Sequence, residues 1–202
     1  WRIPDGPTPT VSGVKLRIMQ PNLPQDAKFN AESGEAILKR YLALSDTATS
    51  PRTLGVQDAT HLIWPESAFP FLLGRTPQAL AEIAGVLRPN TVLITGAARA
   101  GDPLPGESRP PIYNAIQVVD AQGVITASYD KVHLVPFGEY VPALFERLVR
   151  AVGLSQFVQI PGGFTAGRRS GALAIRGLPL AAPLICYEVI FPDEVMPSGQ
   201  RP

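Results

Sequence analysis

The sequence predicts an α/β layered domain, a mixed sheet covered by helices. Three observations carry this. Segments of strand period alternate with segments of helical period early in the chain. Two β-rich runs around a short turn form a hairpin pattern in the middle. The chain has 202 residues, 45% of them apolar, which is enough for one domain with its own hydrophobic core.

Residues Trp1 to Gly13 read as a proline-containing linker, with Pro4, Pro7 and Pro9. The domain proper is expected over 14–202. Val14 to Gln20 alternates apolar and charged residues, the period of a strand, and Pro21 to Pro24 end it. Between Phe29 and Asp46, the residues Ile37, Leu38, Tyr41 and Leu42 recur at helical spacing. His61 to Trp64 is a short buried-strand candidate that stops at Pro65. Thr76-Pro77 marks a helix start, a hydroxyl N-cap before a first-turn proline, with the helix running to about Arg88. Thr91 to Ala98 is an apolar, β-branched strand, and Gly101 to Pro111 is a loop. Tyr113 to Asp120 and Val124 to Tyr129 make the hairpin around Ala121-Gln122-Gly123. A short helix over Pro142 to Val152 and strands near Leu173 to Ile175 and Ala182 to Ile185 complete the expectation.

The net charge of +1 offers no field for nucleic acid. One cysteine rules out an internal disulfide and any CxxC pair. With only two histidines, far from it, no zinc site is expected. No run reaches the roughly 18 apolar residues of a membrane span. The most apolar stretch, Gly171 to Cys186, is broken by Arg176, Gly177, Pro179 and Pro183. Trp1 is not a natural first residue and the end at Pro197 to Pro202 looks like a cut, so a longer parent is expected.

Three polar residues directly follow predicted strands, where α/β sheets build their sites. They are Glu66, Lys131 and Cys186. A thiol is mostly protonated near neutral pH, so a nucleophilic cysteine needs a base beside it. A carboxylate can take that proton and return it to a leaving group. An ammonium with a backbone N–H can hold the oxyanion that forms. Each residue also has an ordinary reading. Cys186 can be a small buried hydrophobe, Glu66 a solvated loop residue, and Lys131 half of a surface pair with Asp130. His133 invites a Cys–His dyad, but its apolar neighbours Val132, Leu134 and Val135 favour a packed ring; His61 is less specific still.

The words around these residues narrow the choice. Trp64-Pro-Glu-Ser67, the stretch YDKVHLVPFGEYVP from Tyr129 to Pro142, and LICYEVIF from Leu184 to Phe191 occur in this order. Over about Val14 to Met196 the chain resembles the nitrilase-type, carbon–nitrogen hydrolase domain of the apolipoprotein N-acyltransferases. VPFGEYVP is the most specific word. Amidases of the superfamily usually differ after the lysine, and often carry Tyr-Asp after the cysteine where this chain has Tyr187-Glu188.

The resemblance implies an αββα sandwich, here lacking its C-terminal part, and a Glu–Lys–Cys triad. Glu66 matches the general base, Lys131 the transition-state stabiliser and Cys186 the nucleophile. The N–H of Tyr187 matches a second oxyanion donor. Glu139, Tyr187 and Glu188 match supporting positions. Phe29 stands where relatives often have tryptophan, a mild departure. The implied reaction takes an acyl chain from a phospholipid onto Cys186 as a thioester, then passes it to the N-terminal amine of a diacylglyceryl-cysteine apolipoprotein. No metal or organic cofactor is implied. Missing transmembrane helices would hold the domain on the periplasmic side of a bacterial inner membrane. Because the family's fold continues past the nucleophile, the chain by itself is expected to be inactive. Two other readings stand beside this one: a soluble amidase or nitrilase passing the thioester to water, and a non-catalytic domain that binds lipoproteins.

Overall fold

The computed structural model describes residues 6–23, 31–103, 105–106, 109–142, 163–168 and 171–191. Its sheet has five strands: β1 (Leu16–Ile18), β2 (His61–Ile63), β3 (Val92–Ala100), β4 (Ile112–Val119) and β5 (Ile125–Asp130). They lie in chain order; β1 to β3 are parallel, and β4 and β5 run antiparallel. Two helices, α1 (Gly34–Asp46) and α2 (Pro77–Val86), supply the crossovers. The predicted mixed sheet with helices is thus the observed one. Of the helix expected over Pro142 to Val152, residues 143–152 fall outside the described residues, as does Phe29.

Register explains the layering. Leu62, Leu93 and Val119 face one another across three strands, and this row packs against Ile37, Leu38 and Tyr41 of α1 and Ala79 and Ile83 of α2. Tyr41 is completely buried. Its ring centroid lies 4.8 Å from that of Trp64 and 6.0 Å from that of Phe69, so α1 is fastened to the chain on both sides of Glu66. On the opposite face Val92, Val118 and Ile175 form a smaller cluster joined by Leu173, Leu178 and Ala181.

Four expectations need correcting. The strand foreseen over Val14 to Gln20 shrinks to three residues, and its apolar side points outward. Leu16 and Ile18 are exposed, while Arg17 turns towards the end of α1 and donates to the carbonyls of Leu44 and Thr47 at 2.9 and 2.5 Å. A guanidinium on C-terminal helix carbonyls satisfies acceptors that the helix leaves open. Thr76 does not cap α2 through its hydroxyl, which donates backwards to the Leu72 carbonyl at 3.0 Å. That helix stops at Val86 rather than near Arg88, with Leu87 already extended; Pro89 in turn disfavours helical geometry at Arg88. Finally, the strands expected near 173–175 and 182–185 are an extended segment. Leu173 and Ala181 exchange two hydrogen bonds, at 2.7 and 3.0 Å, as an isolated bridge. Pro179 and Pro183 have no N–H to extend a ladder.

Candidate active site

Glu66, Lys131 and Glu139 come together at the C-terminal end of the parallel strands. Each arrives for a local reason. Glu66 sits in the loop after β2, followed by Ser67 in the left-handed region at φ 51°. That loop is pressed onto β3 at Gly96. The Ala68 N–H donates to the Gly96 carbonyl at 2.9 Å, and the Gly96 N–H to the Pro65 carbonyl at 3.2 Å. A Cβ on Gly96 would lie 2.5 Å from the Glu66 Cα and 2.7 Å from the Pro65 oxygen. Gly96→Ala is therefore expected to destabilise the fold by about 1–3 kcal/mol through overpacking and to push the Glu66 loop off the sheet. Chemical denaturation of the variant checks this; a native midpoint would contradict the close approach.

Lys131 extends β5 by one residue, its N–H donating to the Asn114 carbonyl at 2.8 Å. Its side chain is 1% exposed, and Nζ lies 2.9 Å from Glu139 Oε2 and 3.4 Å from Glu66 Oε1. Burial lowers the proton affinity of the ammonium. The hydrogen bond it donates to Glu139 and the charges of the acids around it outweigh this, so the lysine pKa ends above its ordinary value. Glu139 is held in turn, with Oε2 accepting the Val135 N–H at 2.8 Å. Segment 163–168 straps the arrangement from outside. Phe164 donates to the Glu139 carbonyl at 2.7 Å, Thr165 to the Ile112 carbonyl at 2.7 Å and Gly167 to the Lys131 carbonyl at 2.8 Å.

Cys186 opens a short helical turn, Cys186–Ile190, in the left-handed region at φ 50°. A non-glycine residue there is uncommon and marks a site where the surroundings hold the backbone. It is exposed and unbridged, on a turn whose Glu188 accepts the N–H of Val132, the residue after Lys131. The ordinary reading of Cys186 as a buried hydrophobe thus fails, as does that of Lys131 as half of a surface pair. Asp130 pairs instead with Arg99, whose Nε donates to Oδ1 at 2.8 Å.

Glu188 ties the turn to β5. Its Oε1 accepts from the Tyr129 hydroxyl and the Val132 N–H at 2.8 Å and the His133 N–H at 3.2 Å, while Oε2 accepts the Ile185 N–H at 2.8 Å. Tyr187 lies at the surface, edge-on to Phe191 at 5.3 Å. The His133 ring stacks on Phe191 at 4.3 Å. His61 is buried, one nitrogen 2.9 Å from the Arg176 carbonyl oxygen and the other 2.9 Å from Thr60 Oγ1. His133 is thus a packed ring, as its apolar neighbours suggested, and His61 is packed as well.

The sequence reading missed Asn114. It is buried on β4, and its Nδ2 donates to Glu66 Oε1 at 2.7 Å and to Glu139 Oε1 at 2.6 Å. The available signal was its poor fit to an otherwise strand-forming run, Ile112 to Val119. Among the described residues no group of three or more His, Cys, Asp or Glu is placed to hold a metal ion. None of the described helices is long and apolar enough to cross a membrane.

The profile of the carbon–nitrogen hydrolases matches residues 16–201. The chain belongs to the carbon–nitrogen hydrolase family. Among curated relatives it is 53% identical over 196 residues to the apolipoprotein N-acyltransferase of Bradyrhizobium diazoefficiens, covering 97% of this chain and 36% of the relative. It is 47% identical over 201 residues to that of Rhodopseudomonas palustris, covering 100% and 37%. The chain therefore spans about a third of the length of these relatives. Among solved structures it resembles a cysteine-to-alanine mutant of the Nesterenkonia AN1 amidase, from the nitrilase superfamily. The TM-score is 0.55 at 19% identity, over 94% of this chain and 62% of that one. That likeness concerns the fold alone, and it makes the α/β arrangement of this carbon–nitrogen hydrolase chain a nitrilase-type fold. Within that fold the described residues supply one sheet, with α1 and α2 on one face and the 171–185 segment on the other.

Proposed function

We propose that this chain is the catalytic domain of an apolipoprotein N-acyltransferase, with Cys186 as nucleophile, Glu66 as general base and Lys131 as oxyanion stabiliser. The observation that carries this is the buried Lys131 ammonium, held between Glu66 and Glu139, with an exposed cysteine on a left-handed turn that Glu188 ties to Val132, next in the chain to Lys131. Similarity to the two named N-acyltransferases across nearly the whole chain supports the choice of reaction.

Glu66 takes the thiol proton as sulfur attacks a phospholipid ester carbonyl. Negative charge gathers on the carbonyl oxygen, where the Lys131 ammonium and the Tyr187 N–H receive it. Collapse expels the lysophospholipid alkoxide, which recovers the proton from Glu66, and leaves the acyl chain on Cys186. The N-terminal amine of a diacylglyceryl-cysteine lipoprotein then attacks the thioester and yields its proton to Glu66. The amide departs and the protonated thiol returns. Glu139 keeps Lys131 in place, and Glu188 holds the turn that presents Cys186. Residues 1–13 serve as the linker from a membrane-embedded region and 14–202 as the catalytic domain, on the periplasmic side of the inner membrane.

The test is intact mass of the full-length protein incubated with phospholipid. The expected result is a gain of one acyl chain on the native protein and none on Cys186→Ala. A folded, lipid-bound native protein without the adduct would overturn the reading. Ammonia and free acid released from an amide substrate would point to a hydrolase instead.

A further inference from the structure

Two carboxylates that approach one ammonium from different loops repel each other, and something neutral has to hold them apart and in line. Glu66 arrives on the loop after β2 and Glu139 on the loop after β5, and both reach Lys131 Nζ. Asn114 stands between them as the third residue of β4, opposite Lys131 at the open end of the hairpin. One amide nitrogen serves both carboxylates, on Glu66 Oε1 and Glu139 Oε1, and its main-chain carbonyl accepts the Lys131 N–H. Glu139 is 8% exposed and Asn114 3%, so water is a poor substitute for these bonds.

We infer that Asn114 is a positioning residue, which fixes the Glu66 carboxylate towards Cys186 by sharing its amide between the two acids. This rests on the reading of Glu66 as the base for the thiol. The residue type is informative. An arginine or lysine here would add a second cation beside Lys131 and hold the Glu66 charge too tightly for proton transfer. An aspartate would place a third anion in the cluster. A leucine would leave both acids with Lys131 as their main donor. An amide adds two N–H donors and no net charge. The charged groups around Glu66 are Lys131, in contact with it, and Glu139, which shares both Lys131 and Asn114 with it; Asp130 is taken up by Arg99.

The experiment is the rate of Cys186 alkylation by iodoacetamide against pH, on the full-length protein. It compares native, Asn114→Leu, Asn114→Asp, Glu66→Gln and the Glu66→Gln/Asn114→Leu double variant, each checked for native melting. Asn114→Asp keeps the side-chain shape and guards against a folding failure in Asn114→Leu. The expected result is an alkylation rate at pH 7 about tenfold lower in Asn114→Leu, the factor for one lost hydrogen bond to a charged group. In Asn114→Asp the acid-side fall in rate moves up by about one pH unit, since a third anion favours proton uptake. In the double variant the leucine adds nothing to the loss already caused by Glu66→Gln, because it acts through Glu66. Losses that multiply, or a native rate and pH profile in both Asn114 variants beside a slowed Glu66→Gln, would overturn the role of Asn114 alone. A native rate in Glu66→Gln would remove the base assignment and the role of Asn114 together.

Discussion

In Lys131→Met the folded state loses about 3–5 kcal/mol at pH 8, the cost of removing one partner from a buried ion cluster. The side chain is almost wholly enclosed, and Glu66 and Glu139 both close on Nζ. Methionine fills a similar volume but leaves two neighbouring carboxylates without their cation. One of them must take up a proton, and a protonated acid hydrogen-bonded to its neighbour is stable only on the acid side. The deficit is therefore expected to shrink as pH is lowered from 8 to 5. The native protein has the opposite edge. Its Lys131 pKa lies above the unfolded value near 10.5, so this contribution is complete below that pH and disappears as pH rises through the folded pKa. Urea titrations of both proteins across this range are the measurement. A deficit that stays constant with pH would mean that the ammonium does not balance these acids. Under the proposed role of Lys131 as oxyanion donor, the same variant is expected to lose roughly 100- to 1000-fold in turnover.

Glu188→Ala is expected to cost a similar amount, roughly 3–5 kcal/mol, with two or three of four charge-assisted bonds going unreplaced. The carboxylate is 2% exposed and joins two parts of the site that are distant in sequence. The Tyr129 hydroxyl belongs to the end of β5 and the Val132 and His133 amides to the residues that follow it, and the Ile185 amide immediately precedes Cys186. Removing it loosens the turn that presents the thiol as well as lowering stability. Hydrogen exchange at Val132 and Ile185 should accelerate together in Glu188→Ala, ahead of exchange in β3 and β4. Glu188→Gln keeps one acceptor oxygen but turns an NH2 towards donors, so an intermediate loss is expected. Separate, unlinked acceleration at the two amides, or a loss under about 1 kcal/mol, would show that the carboxylate does not couple them.

Much of the fold was legible because its cues are local. The spacing of Ile37, Leu38 and Tyr41 gave α1, Thr76-Pro77 gave the start of α2, and the Gly123 turn gave the hairpin to within a residue or two. The direction in which β1 faces was not legible, since alternation gives a period and no sign. It was decided by the open carbonyls at the end of α1, which draw Arg17 inward. The segment before Cys186 read as a strand because an apolar run resembles one; its prolines and its place over the sheet face made it a packed, mostly unpaired strand-like stretch.

The sequence by itself determined the alternation of elements, the placing of Glu66 and Lys131 just beyond strands, and, through its words around Glu66, Lys131 and Cys186, the family. Only the tertiary structure decided which acids meet Lys131, that Asn114 joins them, that Gly96 must lack a side chain, and that Glu188 binds the cysteine turn to β5. The physical reason is range. Propensity, capping and turn chemistry act over a few residues, whereas the charge balance of the site is set by groups up to 65 positions apart, which become neighbours only when the sheet forms.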